Sequence, residues 1–368
     1  MRIACFYHSL VSDWNHGNAH FLRGVVSELL SIGHDVRVFE PRDGWSRENL
    51  IREHGMRSLE GFHARFPHLR STLYDPRRLD LDAALDGVDL VLVHEWSEPA
   101  LVRRIGARRR QQARFRLLFH DTHHRTVTAP KDVARYDLSD YDGVLAYGDV
   151  IRAIYLERGW AARAWTWHEA ADTRVFKPVI GHRRRGDVVW IGNWGDGERT
   201  AELERYLYGP ARSLGLTGSV FGVRYPLEAH EALATTRLVY RGWIANYQVP
   251  QVYAEHAVTV HVPRRPYVEV LPGIPTIRPF EALACGIPLV CAPWDDAEGL
   301  FKPGWDYLVA SSTDEMREHL RAIVADRELA RSLSEHGRAT ILARHTCAHR
   351  VDELFAIARE IEPAVEAA

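Results

Sequence analysis

Residues 271–294 read L-P-G-I-P-T-I-R-P-F-E-A-L-A-C-G-I-P-L-V-C-A-P-W, a stretch whose residue types and order can hold a phosphorylated ligand. A Pro/Gly-rich turn containing Gly273, Ile274 and Thr276 feeds a short helix that carries Glu281. That helix stops at Gly286, before an apolar strand over 288–292. A helix N-terminus presents unpaired N–H groups and partial positive charge, which suit a phosphate. A carboxylate on the same helix can accept hydrogen bonds from ribose hydroxyls. The pattern therefore predicts a grip for a nucleoside diphosphate, with Gly273, Ile274 and Thr276 on the phosphate side and Glu281 on the ribose side.

The string R-x-F-E-A-L-A-C-G-x-P-L-V resembles the donor-binding motif of GT-B glycosyltransferases, and in detail it is most similar to the CgeB-like (spore-maturation-type) family. The resemblance is most specific over 258–350. It implies that Glu281 holds the nucleotide ribose of a nucleoside-diphosphate sugar. It also implies transfer without a bound metal, so that cationic side chains and helix N-termini carry the charge of the departing diphosphate. Many retaining GT-B enzymes have a second glutamate eight positions earlier, where this chain has Gly273. That departure leaves the sugar-side contacts and the stereochemical outcome open.

Basic residues stand at three places that could serve a diphosphate: Arg199 after the turn at 192–195, Arg264 and Arg265 after the strand V-T-V-H-V-P, and Lys302 in F-K-P-G. Arg199 is equally readable as a salt-bridge residue opening a helix. A double arginine beside an apolar strand costs desolvation unless it is paired. Gly192 and Gly195 flank Asn193 and could admit a phosphate close to the backbone, although any tight turn between strand and helix uses such glycines. Trp243 could stack on a base or belong to the core. Glu298 follows the strand over 288–292 and is a further carboxylate at the same edge, whereas Asp295 and Asp296 suit turn capping.

On the acceptor side, F-H-D-T-H-H-R at 119–125 ends an apolar strand with three histidines and an aspartate. An imidazole beside a carboxylate is a general-base arrangement, which makes His120 with Asp121 the candidate pair and His123 and His124 its rivals. Structural histidines and a metal site are the alternatives; no second carboxylate-rich ligand set is evident, so a metal is not expected. Gly17, preceded by His16 and followed by Asn18, matches in reduced form the glycine-rich acceptor-domain loop of GT-B enzymes. It also fits a plain turn with Asn18 capping the next helix.

The elements that must position these residues follow from periodicity. A strand over 3–7, a helix whose apolar residues Phe21, Leu22, Val25, Val26, Leu29 and Leu30 recur at helical spacing, and a strand over 36–39 make a β-loop-α-β unit. Apolar strands at 90–94, 117–120 and 144–146 continue it, the first two ending in histidine. Around 169–178, Asp172, Phe176 and Pro178 match the interdomain connector of GT-B enzymes. The pattern restarts at 187–191, with strands at 219–223 and 258–262 and helices at 198–214, 314–325, 328–344 and 349–361. Right-handed crossovers put the loops at the carboxyl edge of each parallel sheet, where such folds bind ligands.

Length sets the frame: 368 residues suit two domains of about 150 to 200 residues each. A net charge of −2 gives no global reason to expect nucleic acid or an anionic membrane as partner. Basic residues cluster locally, with seven arginines between 103 and 116 and a second knot at Arg183, Arg184 and Arg185. These read either as a solvated helix face and a linker or as a seat for an anionic or membrane-proximal acceptor. Cys5, Cys285, Cys291 and Cys347 are scattered and read as reduced core thiols. The apolar run at the N-terminus is too short for a signal peptide, and no stretch approaches a membrane span, so a cytoplasmic protein is expected.

The expected fold class is thus α/β, two Rossmann-like domains facing across a cleft. Residues 1–172 would form the acceptor domain, 173–347 the donor domain, and 348–368 a helix crossing back to the first. The expected function is metal-independent transfer of a sugar from a nucleoside-diphosphate donor to an unidentified acceptor, with no cofactor beyond that donor. A nucleotide-sugar epimerase and a catalytically silent scaffold are the alternatives.

Overall fold

A computed structural model of the chain describes residues 1–361 apart from 113 and 196. The chain divides into two compact units, one of Met1–Glu169 together with the described residues from Cys347 on, the other of Ala170–Thr346.

Short apolar runs dictate the first unit. β1 (Arg2–Phe6), β2 (Asp35–Pro41), β3 (Ser71–Tyr74), β4 (Leu90–His94), β5 (Arg116–Asp121), β6 (Gly143–Ala146) and β7 (Ala164–Thr166) form one sheet of order β3-β2-β1-β4-β5-β6-β7. Every pairing is parallel, with Ile3 opposite Leu90 and His94 opposite His120. β4 is buried along its whole length, as expected of a parallel strand covered on both faces. The helix Cys347–Glu360 belongs to this unit, where it packs against the helix Ala19–Ser31. The Trp167 indole N–H donates to Arg350 O at 2.7 Å, and Arg350 Nε donates to His168 O at 2.9 Å.

The second unit repeats the plan. β8 (Gly186–Ile191), β9 (Thr217–Phe221), β10 (Arg237–Gly242), β11 (His256–His261), β12 (Leu289–Cys291) and β13 (Leu308–Val309) form a parallel sheet of order β10-β9-β8-β11-β12-β13. In both sheets the strand order reverses beside the first strand, between β1 and β4 and between β8 and β11. The carboxyl ends of those strands are the place where an open α/β sheet leaves a crevice for a ligand.

One local departure from the sequence reading has a simple cause. The single helix expected over 198–214 is instead a helical turn at Thr200–Leu203, a π turn at Glu204–Tyr208 and a helix at Gly209–Leu214. Pro210 has no N–H to donate to the preceding turn, so the regular ladder cannot continue through it. The helix Ile277–Cys285 ends as expected at Gly286, whose φ of +68° closes it in the left-handed conformation.

Candidate active site

At the switch point of the second sheet, the turn after β8 is shaped by one arginine. Arg199 Nη1 donates to Val262 O at 3.1 Å and Nη2 to Asn193 O at 2.7 Å, and its guanidinium lies over the Trp190 ring at 5.1 Å. A Cβ on Gly195 would meet Arg199 Cγ at 2.5 Å, and one on Gly192 would meet the Trp190 ring at 2.7 Å. The space that a side chain at either glycine would need is therefore taken by protein side chains. Asn193 Oδ1 accepts from Val223 N at 3.0 Å and so ties this turn to the end of β9.

β11 delivers the double arginine. Arg264 Nη1 donates to Glu198 Oε2 at 2.6 Å, and Arg265 Nη2 reaches Glu202 Oε1 and Gly197 O at 3.4 Å. The pairing required of two adjacent arginines is thus met. Arg199 nevertheless stands in a positive field: desolvation first, then Arg264 and Arg278, push its pKa down to about 10. Its Nε is buried and finds no partner among the described residues. His261, at the end of β11, is held neutral, its pKa pushed to about 3 by burial and by Arg199 and Arg278. Such a concentration of cations is suited to a bound anion.

The helix Ile277–Cys285 begins here. Its cap, Thr276, has φ +62° and makes no side-chain cap bond. A β-branched residue at positive φ is strained by roughly 1–3 kcal/mol, the kind of strain that collects at ligand sites. Glu281 is fully buried one turn into the helix, accepting from Asn246 Nδ2 at 2.7 Å through Oε1 and from Arg278 Nη1 through Oε2. Ile274 is buried, and Gly273 N donates to Asp295 O at 2.6 Å. Asp296 caps the next turn as expected, accepting from Leu300 N and Phe301 N at 2.9 and 2.8 Å. Glu298 folds back over Gly273. Trp243 is half-buried after β10. Asn246 and Arg278, the immediate partners of Glu281, were not singled out in the sequence; Arg278 could have been, because it lies three residues before Glu281 on the same helix face.

In the first unit, the expected His120–Asp121 pair does not form. Successive residues of a strand point to opposite faces. His120 is enclosed by Phe21, His94 and Trp167, at ring separations of 6.0, 5.5 and 4.8 Å, and neither ring nitrogen has a partner among the described residues. Asp121 instead accepts from Tyr155 OH at 2.8 Å and from His123 N at 3.0 Å. Burial pushes the His120 pKa to about 3 and raises that of Asp121. No group of histidine, cysteine and acidic residues among the described residues could hold a metal ion. Gly17 opens the turn into the helix Ala19–Ser31. Asn18 does not cap that helix with its side chain, and its Nδ2 donates to Thr122 O at 3.2 Å instead.

The arginine-rich helix Pro99–Gln112 is largely spent on local partners. Arg104 donates to Pro76 O and Leu79 O, Arg108 pairs with Asp82, Arg109 with Asp142 and Arg110 with Asp140, while Arg116 in β5 donates to Ile361 O. Four of the helix's arginines, Arg104, Arg108, Arg109 and Arg110, are thus held by carboxylates or carbonyls of the same unit.

Comparison with solved structures decides the architecture. An alpha-glucosyltransferase in complex with UDP-glucose and DNA containing an abasic site matches with a TM-score of 0.72 at 12% identity, over 98% of this chain and 99% of that one. The fold is GT-B. Sucrose-phosphate synthase from Thermosynechococcus elongatus matches at 16% identity over 98% of both chains with a TM-score of 0.65. Anabaena HepE in complex with UDP matches at 13% identity, over 98% of this chain and 100% of that one, with a TM-score of 0.67. Residues 199–356 match the family model described as glycosyl transferase-like. No curated protein matches the chain by sequence. Among the described residues no helix is long and apolar enough to cross a membrane.

Proposed function

We propose that the protein is a glycosyltransferase that moves a sugar from a nucleoside-diphosphate donor held by the second unit to an acceptor held by the first. One observation carries the reading: Arg199, Arg264 and Arg278 converge electrostatically at the β8/β11 switch point beside the strained cap of the helix Ile277–Cys285. Arranged in this way, cations and helix N–H groups stabilise the negative charge that develops on a departing diphosphate. They would supply it without a metal. Glu281 would hold the ribose, with Arg278 swinging from its carboxylate to the phosphates. Gly273, Ile274 and Thr276 would line the phosphate side, and Trp243 the base.

UDP-sugars are the first donors to test, because the solved structures that share the fold include complexes with UDP and UDP-glucose. Within GT-B proteins, the R-x-F-E-A-L-A-C-G-x-P-L-V string supports a CgeB-like relationship, and the free, buried state of Cys5, Cys285, Cys291 and Cys347 supports a reducing, cytoplasmic setting. Nucleic acid is not the acceptor we propose: the net charge is −2, and Arg108, Arg109 and Arg110 of the arginine-rich helix are ion-paired within their own unit.

The test is a thermal-shift panel of UDP, GDP, ADP, CMP and dTDP with their common sugars, followed by product analysis for the nucleotide that binds. A ligand at about 100 times its dissociation constant adds roughly 2.7 kcal/mol to the native state, a shift of a few degrees. A shift for one nucleotide together with release of its diphosphate on sugar transfer is the expected result. Conversion of the donor sugar with no acceptor required would make the protein an epimerase, and no shift with any nucleotide would leave a silent scaffold.

A further inference from the structure

At the switch point of the first sheet, aromatic rings and neutral imidazoles gather at the carboxyl ends of β1 and β4. His8 lies against Trp45 at 4.8 Å between ring centroids, against His16 at 5.1 Å and against Trp96 at 6.1 Å. Trp45 and Trp96 are 6.3 Å apart with their planes at 72°, and both residues are half-buried. Beneath them, His8 and His16 are more than nine-tenths buried, and the Nε2 atom of each has no partner among the described residues. Two buried polar atoms left open beside half-buried indoles describe a site built for something the chain itself does not provide.

The chemistry of the site narrows its ligand. Charged side chains bonded into the cluster are matched within it: Arg125 pairs with Glu95 at 2.9 Å while covering one face of Trp96, and Arg23 pairs with Asp13 at 2.9 Å. Burial holds His8 at a pKa of about 4 and His16 well below its ordinary value, so neither imidazole is a cation near neutral pH. No net charge is offered to a phosphate or a carboxylate. What remains is the negative face of an indole, which attracts polarised C–H groups, together with imidazole nitrogens that exchange hydrogen bonds with hydroxyls. A pyranose ring presents both, an apolar C–H face and a rim of hydroxyls.

We infer that Trp45 and Trp96, with His8 and His16, form a subsite for a neutral saccharide, the acceptor of the transfer. The role as acceptor rests on the proposed glycosyltransferase reading; the binding of a neutral saccharide does not.

Saturation-transfer NMR on the full chain tests it, with methyl glucoside, methyl galactoside, methyl mannoside, maltose and cellobiose as neutral probes and methyl glucuronide and glycerol phosphate as anionic ones. Binding of at least one neutral probe through its C–H protons is expected, weakened tenfold or more in Trp45→Ala and Trp96→Ala, while nucleotide thermal shifts stay as in the wild type. If truncation of an indole unfolds the first unit, Trp96→Phe and His8→Gln take its place, with a loss of several-fold expected. The inference is overturned if no neutral probe binds at tens of millimolar, if binding is equal in all variants, or if an anionic probe is preferred. Saccharide binding that depends on Trp45 and Trp96 without any nucleotide shift would leave the subsite standing and sink the donor reading instead.

Discussion

The Glu298 carboxylate occupies the space that a side chain at Gly273 would need. A Cβ at position 273 would lie 2.6 Å from Glu298 Oε1 and 2.7 Å from its Cγ, and Gly273 itself has φ +85°. Glycine is thus required twice, by the backbone and by the carboxylate packed on it. A turn that carries no acid of its own before the helix Ile277–Cys285 still has one, brought from the loop after β12.

Gly273→Ala should therefore cost about 1–3 kcal/mol of stability through positive-φ strain, and more if Glu298 is forced off the turn. Glu298→Gln keeps the shape and removes the charge. It should leave nucleotide affinity within about twofold and lower turnover by tenfold or more, because under the proposed reading the carboxylate packed on Gly273 would face the donor sugar and not the nucleotide. Steady-state kinetics beside nucleotide titration separate the two quantities. A fall in nucleotide affinity with unchanged turnover would reassign Glu298 to the nucleotide itself.

Glu281→Gln probes the ribose side. The buried carboxylate accepts from Asn246 and from Arg278, and an amide can keep the first bond but not the ion pair. Nucleotide affinity should fall by about 1–3 kcal/mol through loss of charge-assisted hydrogen bonds. Some loss of thermal stability should accompany it, since Arg278 is left without its carboxylate. Isothermal titration well below the melting temperature distinguishes affinity from unfolding, and unchanged affinity in the folded variant would remove Glu281 from the site.

Much of this architecture was legible in the sequence, for identifiable reasons. β4 is an unbroken apolar run, and its bounds of 90–94 were readable directly; the Gly286 stop needed only the left-handed cap rule. β3, β7, β10 and β13 escaped because short or edge strands carry weak signals: Ser71–Tyr74 and Ala164–Thr166 span four and three residues, and β10 interleaves Arg237 and Arg241 with apolar residues. Residue types revealed the cation-rich edge of the second sheet but not how it is wired. That Arg199 fills the space above Gly195 depends on a side chain folding back on its own turn. The failure of the His120–Asp121 pair was foreseeable, since adjacent strand residues face apart. The cluster of His8, His16, Trp45 and Trp96 draws on three separate loops, and only the fold brings them together.

Arg199→Met tests the diphosphate seat. The substitution removes a cation already disfavoured by its neighbours, along with two hydrogen bonds to carbonyls. These changes oppose each other, so the stability change should be small, within about 1–2 kcal/mol. Affinity for the nucleoside diphosphate should fall tenfold or more, roughly 1.4 kcal/mol, while affinity for the free nucleoside stays the same. Titrations with both ligands decide it: equal losses for nucleoside and diphosphate would make Arg199 a scaffold residue for the turn after β8.

Stability should fall as the solution is acidified from neutral pH. His8, His16, His94, His120 and His261 are buried and all have lowered pKa values, to about 4 for His8 and about 3 for His120 and His261. A group whose folded pKa lies below its unfolded value of about 6.5 takes up its proton first in the unfolded chain, so its contribution is intact above about pH 6.5 and is lost as pH drops toward the folded value. Each such proton gives a slope of about 1.4 kcal/mol per pH unit. Glu40, Asp121 and Asp296 have raised pKa values and act in the opposite sense, favouring the folded state as pH falls. His34 and His256 are lowered as well, so seven imidazoles stand against three carboxyls and the net slope between pH 6.5 and 5 should be a loss of stability with acid. Denaturant titrations at half-unit intervals from pH 8 to 5 measure it, and His120→Gln, which cannot take up that proton, should lower the slope by about one proton's worth. A flat profile over this range that His120→Gln leaves unchanged would mean that the His120 imidazole is protonated in the folded chain.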